Sequence, residues 1–307
     1  MKTALIFPGQ GSQFVGMGQE FYAASAEAKA VFDTAEGVVP GLREVIFNGP
    51  AEKLTSTKFC QPAIVAFSLA ALKALQAHPG YKNLQPCFAA GLSLGEYAAM
   101  AACGTLSVVD IVRLVERRSF FMEEAAKANP GAMAAVLGFD SQALSQICRE
   151  TGAQVANFNT PDQIVITGEK DKVLRACAIL REKGALRVIP LEVSGGFHST
   201  LMRAAADRFA LELEPVQFMP PQFPLLGNVD ANPVTDPQII KSNLPQQIYS
   251  SVQWVKTIQT IAAAGVTTFI EIGPGTILKG LIRKIDRSFQ VHNIQIPADI
   301  DTLLNGF

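Results

Sequence analysis

A serine lies between two glycines in the pentapeptide Gly91–Gly95, whose sequence is GLSLG. An apolar run precedes it at residues 86–90, and an alanine-rich segment follows it from Glu96. Where a strand turns sharply into a helix, a serine at the turn exposes its hydroxyl, and flanking glycines avoid a collision across the turn. Because G-x-S-x-G is also common by chance, the prediction depends on the flanking strand and helix patterns. Together they indicate that Ser93 is the nucleophile of an acyl-transferring enzyme.

A serine hydroxyl is a weak nucleophile and needs a base beside it. The chain has three histidines. His78 precedes Pro-Gly at a predicted helix end, which favours a cap or a solvated side chain, and His292 lies in an alternating, strand-like run. His198 follows a predicted strand and two glycines, and we expect it to begin a helix at the active edge of an α/β sheet. Alone, His198 would fit a structural role equally well, but paired with Ser93 it is the best base by elimination.

The sequence selects no carboxylate to orient the imidazole. Three aspartates lie between the serine and the histidine at suitable places, but each falls at a turn or helix start, where capping is the favoured role. They are Asp140, Asp162 and Asp171. A backbone carbonyl is the alternative orienting group.

Two donors are needed to stabilise the oxyanion of an acyl-transfer reaction. The N–H of Leu94, directly after the nucleophile, is one candidate. The loop at residues 9–11 (Gly-Gln-Gly), after the first predicted strand, offers the other. That loop would also suit a phosphate, but no Walker lysine follows it and its spacing is not G-x-G-x-x-G.

Three arginines, Arg113, Arg117 and Arg118, lie on one predicted helix after the Ser93 segment. For any one of them, exposure to solvent is the favoured interpretation. An arginine that pointed inward would be costly unless it met an anion, and it would then grip a substrate carboxylate in a bidentate manner.

Composition favours a compact α/β protein and excludes some partners. The chain has 307 residues, 49% of them hydrophobic and 17% charged, which suits a buried parallel sheet. Its net charge of −1 does not recruit nucleic acid or an anionic membrane by bulk electrostatics. The five cysteines lack zinc spacing and mostly lie in apolar runs, so we expect buried free thiols in a reducing cytoplasm. The longest apolar helix candidate, residues 62–75, is too short to span a bilayer.

The order of elements predicts an α/β-hydrolase-like large domain with a parallel sheet, formed by residues 1–130 and 194–307. Residues 131–193 have the order β-α-β-β-α-β, which predicts an inserted ferredoxin-like small domain. A loop at residues 157–162 would join its two middle strands. Other predicted elements are strands Ala4–Phe7 and Thr268–Ile272, and helices Glu20–Val38, Ala63–Gln76 and Val108–Ala128.

Several motifs in this order resemble one family, the malonyl-CoA:acyl carrier protein transacylases, which includes the acyltransferase domains of polyketide and fatty-acid synthases. The resemblance extends from about Ala4 to Lys284. The motifs are Phe7–Gln13, Gly91–Tyr97, Arg118, Phe197–Ser199, Gln253–Trp254 and Glu271–Gly275.

The resemblance implies a role for each matching residue. Ser93 would be the acylated nucleophile and His198 its general base, while Gln10 and the Leu94 amide would form the oxyanion hole. Arg118 would bind the malonyl carboxylate.

Two further stretches match the family as well. Gln247 aligns with the residue whose backbone carbonyl orients the histidine, which would explain the missing acid. The segment 157–161 resembles a stretch that lines the cleft between the two domains.

The implied activity is transfer of a malonyl group from malonyl-CoA to the phosphopantetheine thiol of an acyl carrier protein. No cofactor or metal is implied, and together with the net charge and the cysteines we expect no nucleic-acid or membrane partner and a cytoplasmic location. Fatty-acid and polyketide synthesis both stay open. The alternatives are a proofreading acyl hydrolase, which typically lacks the arginine, and a non-catalytic docking module for carrier protein.

The chain departs from the family before the nucleophile, where Leu92 replaces the usual histidine. A second feature is Phe197 before the catalytic histidine, as in malonyl-selective polyketide acyltransferases. A bulky side chain there would crowd a C2 branch, so we expect malonyl to be preferred over methylmalonyl.

Overall fold

The computed structural model describes residues 2–306, and alternating strands and helices build two separate sheets. The strands are β1 (Thr3–Phe7), β2 (Pro86–Gly91), β3 (Gly131–Leu137), β4 (Gln154–Thr160), β5 (Gln163–Glu169), β6 (Arg187–Pro190), β7 (Leu225–Leu226), β8 (Pro233–Val234), β9 (Thr268–Ile272) and β10 (Gln290–Ile294). The helices are α1 (Gln19–Ala24), α2 (Ala26–Val38), α3 (Leu42–Asn48), α4 (Ala51–Thr55), α5 (Thr57–Ala77), α6 (Gly95–Ala102), α7 (Val108–Ala128), α8 (Ser141–Thr151), α9 (Lys170–Glu182), α10 (Arg203–Leu213), α11 (Pro237–Tyr249), α12 (Trp254–Ala263), α13 (Ile277–Ile285) and α14 (Pro297–Leu304).

The larger sheet has the order β10-β9-β1-β2-β7-β8, and its neighbours are parallel except for the antiparallel pair β7–β8. Alternate residues of β1 face opposite sides, as strand geometry requires. Leu5 and Phe7 belong to one core cluster, shared with α5, and Ala4 and Ile6 belong to the other, shared with α12 and α13. Helices therefore cover both faces, and the predicted buried parallel sheet is confirmed.

The smaller sheet is antiparallel throughout and has the order β4-β5-β3-β6. With α8 and α9 it follows the predicted β-α-β-β-α-β order, and its apolar residues form a core cluster of their own. This is the ferredoxin-like arrangement. Its strands all fall inside residues 131–193, and the division of the chain into two domains at those positions stays a prediction.

Helix α5 has 21 residues and is apolar enough to cross a membrane by length and composition. It begins at Thr57, before the predicted start at residue 62. Pro62 lies inside the helix and does not mark its first turn. The expectation that this segment is too short to span a bilayer is therefore wrong. Since 83% of its most apolar window is buried inside the protein, α5 is a core helix.

Local hydrogen bonds overturn three further predictions. The single helix at residues 20–38 is two helices, because Ser25 adopts an extended conformation and its side chain accepts from the Ala28 N–H. The prediction of a loop at residues 157–162 is wrong, because residues 157–160 continue β4. The Phe158 N–H donates to the Val252 carbonyl at 3.0 Å. His198 does not begin a helix, since α10 starts at Arg203 after a 3₁₀ turn at residues 200–202.

The turn between β2 and α6 is too crowded for a side chain at either glycine. A Cβ on Gly91 would lie 1.9 Å from the Gly95 carbonyl carbon, and one on Gly95 would lie 2.1 Å from the Phe7 oxygen. Between them Ser93 has a φ of 52°, in the left-handed region. The glycines thus allow the turn to press against the end of β1, which confirms the steric reason expected for them.

Replacing Gly95 with alanine is expected to open this turn. Its Cβ would overlap main-chain atoms of β1 that cannot move aside, so we expect a loss of about 3 kcal/mol or more in the free energy of unfolding. Gly280 is the matched control, because it lies within α13 and a Cβ there meets nothing within 4 Å. Gly280→Ala should stabilise by up to about 1 kcal/mol. Urea unfolding measures both, and equal effects would contradict the packing described.

The buried carboxylate of Glu271 holds the first turn of α13. It accepts from the main-chain N–H of Leu278 at 2.9 Å and of Lys279 at 3.0 Å. The Asn293 side chain donates to it as well. Because the first N–H groups of a helix have no partner within the helix, a carboxylate there fixes where the helix begins.

Removing the Glu271 carboxylate should leave these donors unpaired. Glu271→Ala is expected to cost about 2–3 kcal/mol in the free energy of unfolding. Glu182→Ala, at an exposed glutamate of α9, should change it by less than about 0.5 kcal/mol. A Glu271→Ala variant as stable as the Glu182→Ala control in chemical denaturation would disprove the capping role.

Candidate active site

A cavity of about 410 Å³ lies between the carboxyl end of the parallel sheet and the smaller sheet. The carboxyl edge of parallel strands is where α/β proteins place their ligands. The cavity is lined by predicted site residues from distant parts of the chain and by two asparagines of β4. The lining includes Gln10, Leu92, Ser93, Leu94, Arg118, Asn157, Asn159, Phe197 and His198.

Ser93 and His198 meet across this cavity as predicted. The Ser93 Oγ lies 2.7 Å from His198 Nε2. On the other side of the ring, Nδ1 lies 2.9 Å from the Gln247 carbonyl oxygen and 3.1 Å from that of Ser250. Carbonyl oxygens only accept, so Nδ1 carries the proton and Nε2 is left to accept from the serine hydroxyl. A main-chain carbonyl of Gln247 therefore does orient the imidazole, and the second carbonyl, from Ser250, was not anticipated.

The imidazole is held in its neutral form. Burial and, to a smaller extent, the positive charge of Arg118 together lower the pKa of His198 to about 4, although the Gln247 and Ser250 carbonyls act in the opposite direction. At neutral pH the ring is thus an unprotonated acceptor directed at the serine.

Arg118 points into the site, unlike its two neighbours on α7. Arg113 is exposed and Arg117 pairs with Glu212 at 2.9 Å, whereas Arg118 is only 1% exposed. For Arg118 the solvent-facing interpretation is therefore wrong, and the inward alternative is correct. The sequence could not separate the three because all lie on one amphipathic helix.

Within residues 2–306 the Arg118 guanidinium donates hydrogen bonds to neutral acceptors and lies 5.6 Å from the centroid of the Tyr97 ring. Nη1 donates to Gln61 Oε1 at 2.6 Å, and Nη2 donates to Gln247 Oε1 at 3.1 Å and to Ser93 Oγ at 3.3 Å. Its buried Nε has no partner among residues 2–306, and no carboxylate in that range forms a salt bridge with it. A buried cation without a contacting anion is costly, so the site is prepared to receive one.

Gln10 and Leu94, the two residues expected to form the oxyanion hole, both line the cavity beside the serine. Within the described part of the chain, the N–H groups of Gln10 and Leu94 donate to no protein acceptor, although both residues line the cavity. Gly9 allows the Gln10 loop to approach the turn, because a Cβ there would lie 2.5 Å from the Leu92 oxygen.

Asn228 braces the turn and was missed by the sequence analysis. Its Oδ1 accepts from the Ser93 N–H at 2.7 Å and its Nδ2 donates to the Gly91 carbonyl at 2.8 Å. The one available signal was a polar residue two positions after the apolar pair Leu225–Leu226.

Gln61 and Glu96 were also missed, although both are polar residues in apolar helical stretches. Gln61 is 1% and Glu96 2% exposed. Burial raises the pKa of Glu96 to about 7, against the opposing effects of the Gln247 amide and the Arg118 charge.

Apolar side chains close the rest of the cavity. Phe197 is 6% exposed beside His198, and its carbonyl accepts from the Thr167 hydroxyl at 2.8 Å. Leu92 forms an apolar wall with Ile277 and Leu281 of α13. Leu92, at the position where the resemblance implies a histidine, thus fits its apolar neighbours.

The two other histidines and the five cysteines lie apart from this cavity. His78 accepts from the Gly80 N–H, and His292 lies on β10. All five cysteines are free, and four are buried while Cys87 is half-buried. Among residues 2–306 no cluster of His, Cys, Asp or Glu could hold a metal ion.

Comparison with known proteins identifies the family. Residues 4–296 match the acyl transferase domain. The malonyl CoA-acyl carrier protein transacylase of Bacillus subtilis (strain 168) is 44% identical, covering 98% of this chain and 95% of its own. The crystal structure of an acyl-carrier-protein-S-malonyltransferase from Bartonella henselae matches with a TM-score of 0.96 at 38% identity, covering 100% of this chain and 99% of its own. A malonyl-transacylase in complex with its type II PKS acyl-carrier protein matches with a TM-score of 0.95 at 36% identity, covering 100% of both chains. The chain therefore belongs to the acyl transferase domain family and, within it, to the malonyl CoA-acyl carrier protein transacylases.

Proposed function

We propose that this chain transfers a malonyl group from malonyl-CoA to the phosphopantetheine thiol of an acyl carrier protein, through a malonyl ester on Ser93. The observation that supports this most directly is the position of the Ser93 hydroxyl, 2.7 Å from His198 Nε2 and 3.3 Å from Arg118 Nη2. A base and a carboxylate-binding group thus meet at one nucleophile.

In the first half-reaction His198 Nε2 takes the proton of Ser93 as Oγ attacks the thioester carbonyl of malonyl-CoA. The N–H groups of Gln10 and Leu94 stabilise the oxyanion that forms, and loss of one such donor costs about 3 kcal/mol. The C–S bond then breaks, and the imidazolium returns its proton to the sulfur of coenzyme A. The Gln247 and Ser250 carbonyls hold the ring throughout.

The second half-reaction reverses these steps with a different thiol. His198 takes the proton of the phosphopantetheine thiol, whose sulfur attacks the malonyl ester. The C–O bond breaks, and Ser93 Oγ recovers the proton from Nε2. The net reaction exchanges one thioester for another, so neither oxidant nor cofactor enters its balance.

Arg118 and Phe197 set the substrate preference in this proposal. The guanidinium binds the free carboxylate of the malonyl group with charge-assisted hydrogen bonds. Phe197 crowds the position of a C2 branch, which favours malonyl over methylmalonyl. An acyl hydrolase is the alternative, and the buried Arg118 argues against it because a cation there selects a carboxylate rather than a long acyl chain.

The surroundings of the reaction follow from the same proposal. The partners are a coenzyme A thioester and an acyl carrier protein, without nucleic acid or membrane. No metal or other cofactor takes part. The buried free thiols suit a reducing cytoplasm. The carrier protein that accepts the malonyl group decides whether the enzyme serves fatty-acid or polyketide synthesis.

Mixing the protein with malonyl-CoA should produce a malonyl adduct that intact-mass analysis detects. The adduct should be absent in Ser93→Ala, persist without carrier protein, and disappear when a phosphopantetheinylated carrier protein is added. In competition, malonyl should exceed methylmalonyl and acetyl adducts. Rapid release of free malonate without carrier protein would favour the hydrolase instead. Carrier protein that binds without any adduct forming would favour a docking module.

The reactivity of Ser93 should depend on a base with an unusually low pKa. Modification of Ser93 by a sulfonyl fluoride requires neutral His198, so its rate should be half-maximal near pH 4 and constant above about pH 5. Arg118→Met removes a charge that disfavours the imidazolium, so its midpoint should move upward. A midpoint at or above 6.5 in the parent enzyme would contradict this assignment, as would a downward shift in the variant.

A further inference from the structure

The side-chain amide of Gln247 contacts Ser93, Glu96 and Arg118, although the sequence analysis assigned a role only to the main-chain carbonyl of this residue. Its Nε2 donates to the Ser93 carbonyl at 2.9 Å and to Glu96 Oε2 at 2.6 Å, while its Oε1 accepts from Arg118 Nη2 at 3.1 Å. Glu96 and Arg118 are thus joined by a single amide that lies between them. Gln247 is 1% exposed, so within this site water does not compete for the contacts.

Only one orientation of this amide satisfies all three contacts. If it were flipped, its NH₂ group would face the guanidinium N–H, and its oxygen would face the Glu96 carboxyl and the Ser93 carbonyl. Donor would then meet donor, and acceptor would meet acceptor. In its ionised form, the Glu96 carboxyl is the strongest acceptor on the Nε2 side, because hydrogen bonds to charged groups are stronger than those to neutral ones. Glu96 therefore fixes the direction in which the Gln247 oxygen points.

The same arrangement compensates the arginine charge at a distance. Burial lowers the pKa of Arg118, and the negative charge of Glu96 opposes that effect. A carboxylate in direct contact would achieve this too, but it would occupy the guanidinium edge that a substrate needs. With Gln247 in between, the guanidinium is held by neutral oxygens while its counter-charge stays one residue away.

We propose that Glu96 is a positioning residue for malonyl selection, acting through the Gln247 amide to hold Arg118 in place with its carboxylate-binding edge open. This inference rests on the proposed function. Glu96 touches neither the substrate nor the reacting atoms, and its effect is expected in the preference between a malonyl and an acetyl group.

The experiment compares initial rates of Ser93 acylation by malonyl-CoA and by acetyl-CoA, with intact-mass detection. The malonyl-to-acetyl ratio is the readout, because a merely structural defect slows both donors alike. Rates are compared at about pH 8.5, where Glu96, with a pKa of about 7, is ionised. Glu96→Gln has nearly the same shape but lacks the charge, and it should lower the ratio about tenfold, as expected for loss of one hydrogen bond to a charged group.

Gln247→Met is the second variant. It keeps the main-chain carbonyl that orients His198 but removes the amide, and it should lower the ratio to a similar extent. The two changes together should lower it no further than either alone, because both interrupt one connection. If Glu96→Gln does not fold, Gln247→Met decides alone, and an unchanged ratio in that variant overturns the proposal.

The Arg118→Ala variant distinguishes failure of the proposed role of Glu96 from failure of the proposed malonyl-transfer function. If the parent enzyme shows no malonyl preference, the proposed function fails and this inference fails with it. If the parent prefers malonyl and Arg118→Ala loses that preference, the function stands. A Glu96→Gln ratio within about twofold of the parent, or fully additive effects in the double variant, would then overturn the role of Glu96 alone.

Discussion

A fully buried guanidinium without a contacting carboxylate is the constraint on which the rest of this site depends. Removing an arginine from water costs several kcal/mol of desolvation free energy, and a direct ion pair with a carboxylate normally offsets that cost. Here Arg118 has two amide oxygens and a hydroxyl instead. The desolvation free energy that these neutral groups do not offset favours binding of any small anion that fits the cavity. Burial lowers the pKa of the neighbouring His198 imidazole, and the Arg118 charge lowers it as well, so substrate selection and base strength share one physical contribution.

The fold brings these groups together by placing short, crowded segments at one edge of the parallel sheet. Ser93 lies two residues after the end of β2 and has a left-handed conformation, in a turn where Gly91 packs against Gly95 and Gly95 packs against the end of β1. Arg118 reaches the same point from the middle of α7, and the Gln247 carbonyl from the end of α11. The smaller sheet closes the opposite side with Asn157 and Asn159.

Sequence reasoning found the parts of this arrangement that depend on local patterns. The strand Thr268–Ile272 and the helix Val108–Ala128 have the predicted bounds, because each has a clear period and a clear start. Ser93 was identifiable from its flanking glycines, and His198 because the two other histidines lie in unsuitable contexts. The segment 157–160 was misjudged because its asparagines and threonine are typical of turns, whereas pairing across the sheet decides its conformation.

The amides and the buried acid could not be found in this way. Gln61 contacts Arg118 across 57 positions, and the Gln247 side chain contacts the Ser93 carbonyl across 154. A neutral glutamine leaves no periodic or charge signature, so only the folded chain shows that it organises the site. Glu96 was visible merely as one charge at the start of an alanine-rich helix, where capping would be the ordinary interpretation.

The most direct test of this account is a crystal structure of the Ser93→Ala variant with malonyl-CoA bound. We predict that the malonyl carboxylate lies against Arg118 with both oxygens about 2.7–2.9 Å from guanidinium nitrogens, and that its thioester oxygen faces the N–H groups of Gln10 and Leu94. A malonyl carboxylate directed into solvent, with Arg118 still bound only to Gln61 and Gln247, would contradict the central claim.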